Sequence, residues 1–114
     1  MKINQKQKEG VSIFELSGEL DFHSSPKFRD LLQEVIAKQV HFIVVNLKKV
    51  DYIDSSGLAT FVEALQKIKR SNGKLVLAEL APAVRSVFEI AKLDSVFTLV
   101  GSEEEALELT TPSR

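Results

Sequence analysis

The chain opens on a polar stretch, Lys2 to Lys8, in which Ile3 is the one apolar residue, and this reads as a solvated edge strand. Glu9-Gly10 turns the chain, and Val11 to Ser17 (VSIFELS) has the character of a buried strand, ended by Gly18. Ser25-Pro26 opens a helix, because proline costs least in a first turn. Phe28, Leu31, Leu32, Val35 and Ile36 then recur at the spacing of one helical face. Phe42 to Leu47 (FIVVNL) is nearly continuous apolar sequence, as a central strand covered on both faces requires. A second helical stripe runs through Leu58, Phe61, Val62, Leu65 and Ile68; Lys67, Lys69 and Arg70 complement the dipole of its last turn, and Asn72-Gly73 ends it. Leu75 to Leu80 is another strand, and Pro82 starts a helix with Val84, Val87, Phe88 and Ala91 on one face. Val96 to Val100 is the last strand, after which Ser102 and Glu105 form a capping box for a short final helix.

The predicted order is β-β-α-β-α-β-α-β-α. Strands alternating with helices define an α/β fold, with a mixed, mostly parallel central sheet of about five strands and about four helices packed on it. No repeat, linker or low-complexity tract divides the chain, so residues 1–110 read as one domain and residues 111–114 as a tail expected to fray.

A chain of 114 residues is long enough for one core without staples. With a net charge of −1, nothing argues electrostatically for a nucleic-acid partner or an anionic membrane. The absence of cysteine excludes disulfides, zinc–thiolate sites and cysteine nucleophiles. The first ten residues are polar, unlike a signal peptide, and no apolar run approaches the roughly 20 residues of a membrane span. The expectation is a cytoplasmic protein with no direct membrane insertion.

Candidate chemistry gathers where strands end and helices begin. One such place is Tyr52 to Phe61, YIDSSGLATF; another is Gly18-Glu19-Leu20-Asp21. Asp54 or Ser55 can cap the second helix, and Gly57 permits a close backbone approach. The same geometry suits a serine that accepts a phosphoryl group, since the helix dipole accommodates the added charge while a partner interface would not. A serine hydrolase fits poorly: the G-x-S-x-G elbow would need glycine at Ile53 or Asp54, and His23 and His41 are the only histidines. A phosphoacceptor receiver domain would need an acidic pair after its first strand, where this chain has MKINQKQKEG. No dinucleotide or phosphate-loop motif occurs, and no cofactor or metal is expected. Glu103 to Glu105 read as first-turn carboxylates and Asn46 as a structural, hydrogen-bonded residue. Phe22 either folds back into the core, the reading the sequence favours, or stands out as an interface anchor.

Several pieces in order resemble the anti-sigma factor antagonists of the STAS domain family: Ser17 to Asp21, Val44 to Leu47, Val50 to Leu58, Gly73 to Leu77, the Pro82 to Phe88 helix start, and Leu93-Asp94 with Val96-Phe97. The likeness covers about residues 3 to 109. It implies a regulatory binding protein rather than an enzyme. The unmodified form would sequester an anti-sigma factor with serine kinase activity and so release a sigma factor. Phosphorylation of Ser55 would end the complex, and a serine phosphatase would restore the binding form. Carried over by motif, Asp21 and Asp54 help position the Ser55 hydroxyl, and Ser56 and Gly57 shape the loop. The implied partner surface comprises Phe22, His23, Ser24 and the exposed face of the second helix, Thr60, Glu63 and Lys67. Ala59 stands where many members have glycine. That is similar to STAS subunits of lipid-transport ATPase complexes and leaves an alternative: a constitutive subunit with Ser55 as a helix cap and no phosphoswitch.

Overall fold

A computed structural model describes residues 1–110, so the tail at 111–114 lies outside the described residues. The elements are β1 (Lys2–Lys8), β2 (Val11–Leu20), α1 (Ser25–Ala37), β3 (Phe42–Ile53), α2 (Ser55–Arg70), β4 (Lys74–Ala78), α3 (Pro82–Ile90), β5 (Thr98–Val100) and α4 (Glu103–Thr110). The element order is the expected one, in a single domain. The five strands lie in the order β1-β2-β3-β4-β5. β1 pairs antiparallel with β2, and every later pair is parallel.

This strand order dictates the layering. Each parallel connection steps the same way across the sheet, and right-handed crossovers then place α1, α2 and α3 on one face. The large core lies there: Phe28, Leu32 and Val35 of α1, Phe61, Leu65 and Ile68 of α2, and Val84 and Phe88 of α3 pack on Phe14, Leu16, Ile43, Val45, Leu47, Leu75 and Leu77. The alternate residues Val11, Ile13, Val44, Val76 and Ala78 point to the second face, where α4 covers them with Ala106. The small side chains Ala78 and Ala106 let that single helix sit close.

Two strands run further than the sequence pattern indicates. β2 continues through Gly18, whose φ of +104° suits glycine, instead of ending there. β3 continues from Leu47 to Ile53 because two bulges change its periodicity. Pairing steps from Glu15↔Asn46 to Ser17↔Lys49, and from Gly18↔Val50 to Glu19↔Tyr52, each step inserting one residue into β3. Leu47, Val50 and Ile53 therefore all face the core, with Lys48-Lys49 and Asp51-Tyr52 turned outward as pairs. The bulged extension carries the chain to Asp54 at the carboxyl edge of the sheet.

At the other edge β5 is shorter than expected, since Val96 and Phe97 lie in the preceding turn. Asn46 is held as anticipated, its Nδ2 donating to Glu79 Oε2 and Glu103 Oε1 at 3.1 Å each. No helix among the described residues is long and apolar enough to cross a membrane.

Candidate functional site

The carboxyl ends of β2 and β3 bring the two singled-out segments together. The Asp54 N–H donates to the Leu20 carbonyl at 3.2 Å, which ties the strand ends side by side. Asp54 then leaves the strand in an extended conformation, φ −110° and ψ −173°, and acts as N-cap of α2. Its Oδ1 accepts from the Ser56 and Gly57 N–H groups at 2.9 and 3.1 Å. Its Oδ2 accepts from the Phe22 N–H at 3.1 Å, so one carboxylate caps the helix and fastens the neighbouring loop. Gly57 is required by packing: a Cβ there would stand 2.7 Å from Ile53 Cγ1 and 2.8 Å from the Leu20 carbonyl oxygen.

Asp21 organises the loop from within. Its Oδ1 accepts from the N–H groups of His23 and Ser24 at 2.9 and 3.1 Å. The Ser24 hydroxyl donates to the Glu19 carbonyl at 2.7 Å and accepts from the Asp21 N–H at 3.0 Å. The Ser25 hydroxyl donates to the Asp21 carbonyl at 2.6 Å, closing the turn into α1. The backbone donor of Ser24, followed by that of His23, holds the Asp21 carboxyl below its ordinary value. A depressed carboxyl pKa stabilises the folded loop above the unfolded value, and that contribution is lost as pH falls through the folded pKa. Acidification below about pH 4 is therefore expected to release the His23 and Ser24 amides before the core is disturbed. Amide hydrogen exchange and carboxyl-resolved NMR across that range check the order of events.

Ser55 is the first residue of α2, exposed, and its hydroxyl makes no hydrogen bond among the described residues. The capping duty that either residue could have filled belongs to Asp54. Neither Asp21 nor Asp54 hydrogen-bonds the Ser55 hydroxyl; both carboxylates accept from backbone amides, and Asp21 also from the Ser24 hydroxyl. Their part is to build the platform on which Ser55 stands.

The implied partner surface is rearranged by the fold. Phe22 does not return to the core: it is 67% exposed, its ring 4.7 Å from that of His23. Its backbone is anchored by Asp54 while its side chain projects beyond a loop too short to fold it inward. Thr60, expected on the exposed face, is only 5% exposed, and its hydroxyl donates to the Ser56 carbonyl at 3.0 Å. α1 packs beside α2 on that side and covers it. Glu63 is half-buried in the same seam, accepting from Arg29 Nε at 2.6 Å and Nη2 at 3.0 Å and from Gln33 Nε2 at 2.6 Å. The Arg29 hydrogen bond, ahead of the one from Gln33, holds the Glu63 carboxyl below its ordinary range. Lys67 is half-buried further along the helix.

A groove of about 380 Å³ lies between the helix starts, bounded by Phe22, Pro26, Arg29, Ser56, Ala59 and Glu63. The contribution of α1 to this surface is absent from the sequence reading, since nothing in the spacing of one helix reports which other helix lies beside it. His41 sits at the amino end of β3, its Nδ1 3.1 Å from the Ser71 carbonyl oxygen, a strand length away from Ser55. Among the described residues no group of His, Asp and Glu is arranged to hold a metal ion.

A five-stranded mixed sheet with three helices on one face, one on the other, and an Asp-Ser-Ser-Gly helix start at its carboxyl edge defines a recognisable class. The sequence model of the STAS domain matches residues 2–106, and the chain belongs to that family. Among its relatives, the anti-sigma F factor antagonist of Paenibacillus polymyxa is 31% identical over 108 residues, covering 94% of this chain and 92% of that protein. The anti-sigma-B factor antagonist of Bacillus subtilis is 29% identical over 108 residues, covering 95% and 98%. Solved structures share the fold. An anti-sigma factor antagonist from Mycobacterium paratuberculosis matches with a TM-score of 0.89 at 24% identity, over 97% of this chain and 94% of that one. The Bacillus cell fate determinant SpoIIAA in its phosphorylated form matches with a TM-score of 0.77 at 23% identity, over 95% and 98%.

Proposed function

We propose that this protein is a phosphorylation-controlled antagonist. Its unmodified form binds an anti-sigma factor that is also a serine kinase and thereby releases a sigma factor. The kinase transfers a phosphoryl group from ATP to Ser55, the complex dissociates, and a serine phosphatase regenerates the binding form. The protein is substrate and ligand in this cycle, not catalyst, and it works in the cytoplasm.

The observation that carries this reading is the freedom of Ser55. A serine kept only for capping would be engaged with the helix amides. Here Asp54 holds them, and the Ser55 hydroxyl stands exposed at the positive end of α2. A phosphate of about −1.5 to −2 charges there gains roughly 0.3–1 kcal/mol from the helix terminus, so the fold tolerates it. The N–H groups of Ser56 and Gly57 are already taken by Asp54, so the new charge remains directed outward. Next to the exposed Phe22 and the groove between α1 and α2, it would confront any docked surface with an unpaired dianion. The reading as a constitutive subunit gave Ser55 a capping role, which Asp54 fills.

Capture of the partner from native cells on immobilised protein tests the proposal. Unmodified wild type and Ser55→Ala are expected to bind alike, and Ser55→Asp at least about tenfold more weakly. The captured partner should transfer phosphate from ATP to wild type and not to Ser55→Ala. Equal binding by Ser55→Asp would overturn the switch.

A further inference from the structure

The second face of the sheet carries a site that the switch does not use. α4 covers β3, β4 and β5 there. Beyond it, the face over the start of β1, the carboxyl half of β2 and the bulged part of β3 stays open as a cleft of about 570 Å³. That is the size of a small-molecule site.

Strand register arranges its floor. Lys2, Ser17 and Lys49 are neighbours in one row across three adjacent strands, and Asn4, Glu15 and Asn46 form the next row. Strands lie about 4.8 Å apart, so the backbones of Lys2 and Lys49 are roughly 10 Å apart with the Ser17 hydroxyl between them. The first bulge adds Lys48 to the same face, because Leu47 and Val50 on either side of the lysine pair are both buried. A regular strand would have sent one of those lysines into the core. The side chains of Lys2, Lys48 and Lys49 make no hydrogen bond or ion pair among the described residues, and those of Asn4 and Ser17 make none either.

The far rim has the opposite character. Glu15 and Glu103 both pair with Lys6 at 3.5 Å. Glu79, at φ +59°, directs its carboxylate back to accept from Asn46 Nδ2 and from the Glu103 N–H, both at 3.1 Å. Lys6 offsets one of these three carboxylate charges, Glu79 is held by neutral donors alone, and all three keep unused lone pairs. One end of the cleft thus offers three unpaired ammonium groups, and the other offers carboxylate oxygens that accept from hydroxyl donors.

We propose that this cleft binds the phosphate monoester of a small polyol. The phosphate would lie on Lys2, Ser17, Lys48 and Lys49, and the polyol hydroxyls would donate to Glu15 and Glu79. A phosphate brings about −1.5 to −2 charges and three acceptor oxygens, whereas a carboxylate brings one charge and would leave ammonium groups unmatched. The assignment is independent of Ser55, which lies at the carboxyl edge of the sheet on the side of the three-helix core.

An amide-resolved NMR titration of the whole chain tests it, with glucose 6-phosphate, inorganic phosphate and glucose as separate arms at constant ionic strength. The expected result is saturable shifts in residues 2–4, 15–17 and 46–49 with glucose 6-phosphate, and at least tenfold weaker binding of inorganic phosphate. Lys49→Ala should raise the Kd for the ester by about tenfold, the loss of one charge-assisted hydrogen bond. Ser55→Asp should leave it unchanged. Lys49 is exposed, so the variant's own spectrum will show the fold intact. Absence of saturable shifts, or a Kd unchanged from wild type in both Lys49→Ala and Lys2→Ala, overturns the site. Equal affinity for inorganic phosphate overturns the polyol ester as its ligand.

Discussion

Phe61→Ala is expected to remove about 3–5 kcal/mol of stability, the cost of emptying a fully buried aromatic position. Phe61 is the ring through which the three-helix core is joined. It meets Phe28 of α1 edge-on at 5.5 Å, Phe88 of α3 at 6.0 Å, and Phe97 before β5 at 6.4 Å. Truncation leaves a cavity bordered by three aromatic rings that belong to separate elements, and no one of them can move in without abandoning its own contacts. A domain of this size has a total stability of about 5–15 kcal/mol, so the variant should be marginal at ambient temperature. Urea unfolding with an unchanged m-value measures the loss. A decrease below about 1 kcal/mol would mean that the rings are not packed as described.

Gly57→Ala is expected to destabilise the protein by about 1–3 kcal/mol, although Gly→Ala inside a helix ordinarily gains roughly 1 kcal/mol. The sign is set by space. The new Cβ would lie 2.8 Å from the Leu20 carbonyl oxygen and 3.0 Å from Leu20 Cγ. That carbonyl accepts the Asp54 N–H, so relief of the clash separates the end of β2 from the start of α2. The variant should lower Tm by roughly 5–10 °C and also increase exchange at the Phe22 amide, which the Asp54 carboxylate holds. A stabilised variant would show that the helix start is not seated against β2.

These two residues also mark how far the sequence could be read. Phe61 is legible, because its place in the apolar stripe of α2 makes it a core residue whatever the neighbours. The close approach at Gly57 is legible in kind, as a glycine at a helix start, but not in partner, since Leu20 is brought to it by the sheet. The carboxyl part of β3 was hidden because strand recognition relies on alternation. Leu47, Val50 and Ile53 are buried at every third residue, a period that matches neither a regular strand nor a helix and that only the bulges explain.

Thr60 illustrates the same limit. The apolar stripe of α2 does face the sheet, but the flank of α2 that carries Thr60 is covered by α1, and the spacing along one helix carries no information about a second. Phe22 reads as core by hydrophobicity alone. Its exposure follows from an anchored loop, fixed locally by Asp21 and Ser24 and, across 32 residues of sequence, by Asp54. By contrast, the division of labour at the helix start was nearly legible: a carboxylate and a hydroxyl competed for one cap, and the structure awards it to Asp54.

That award makes Ser55 the centre of the account, and its modification state is the most direct test. Phosphosite mapping by mass spectrometry, on protein recovered from its native cells under two growth conditions, should find phosphate on Ser55 with an occupancy that changes between them. Ser56, half-buried and next in the helix, should remain unmodified. Ser55 unmodified in every condition, with the protein held throughout in one stable complex, would contradict the switch.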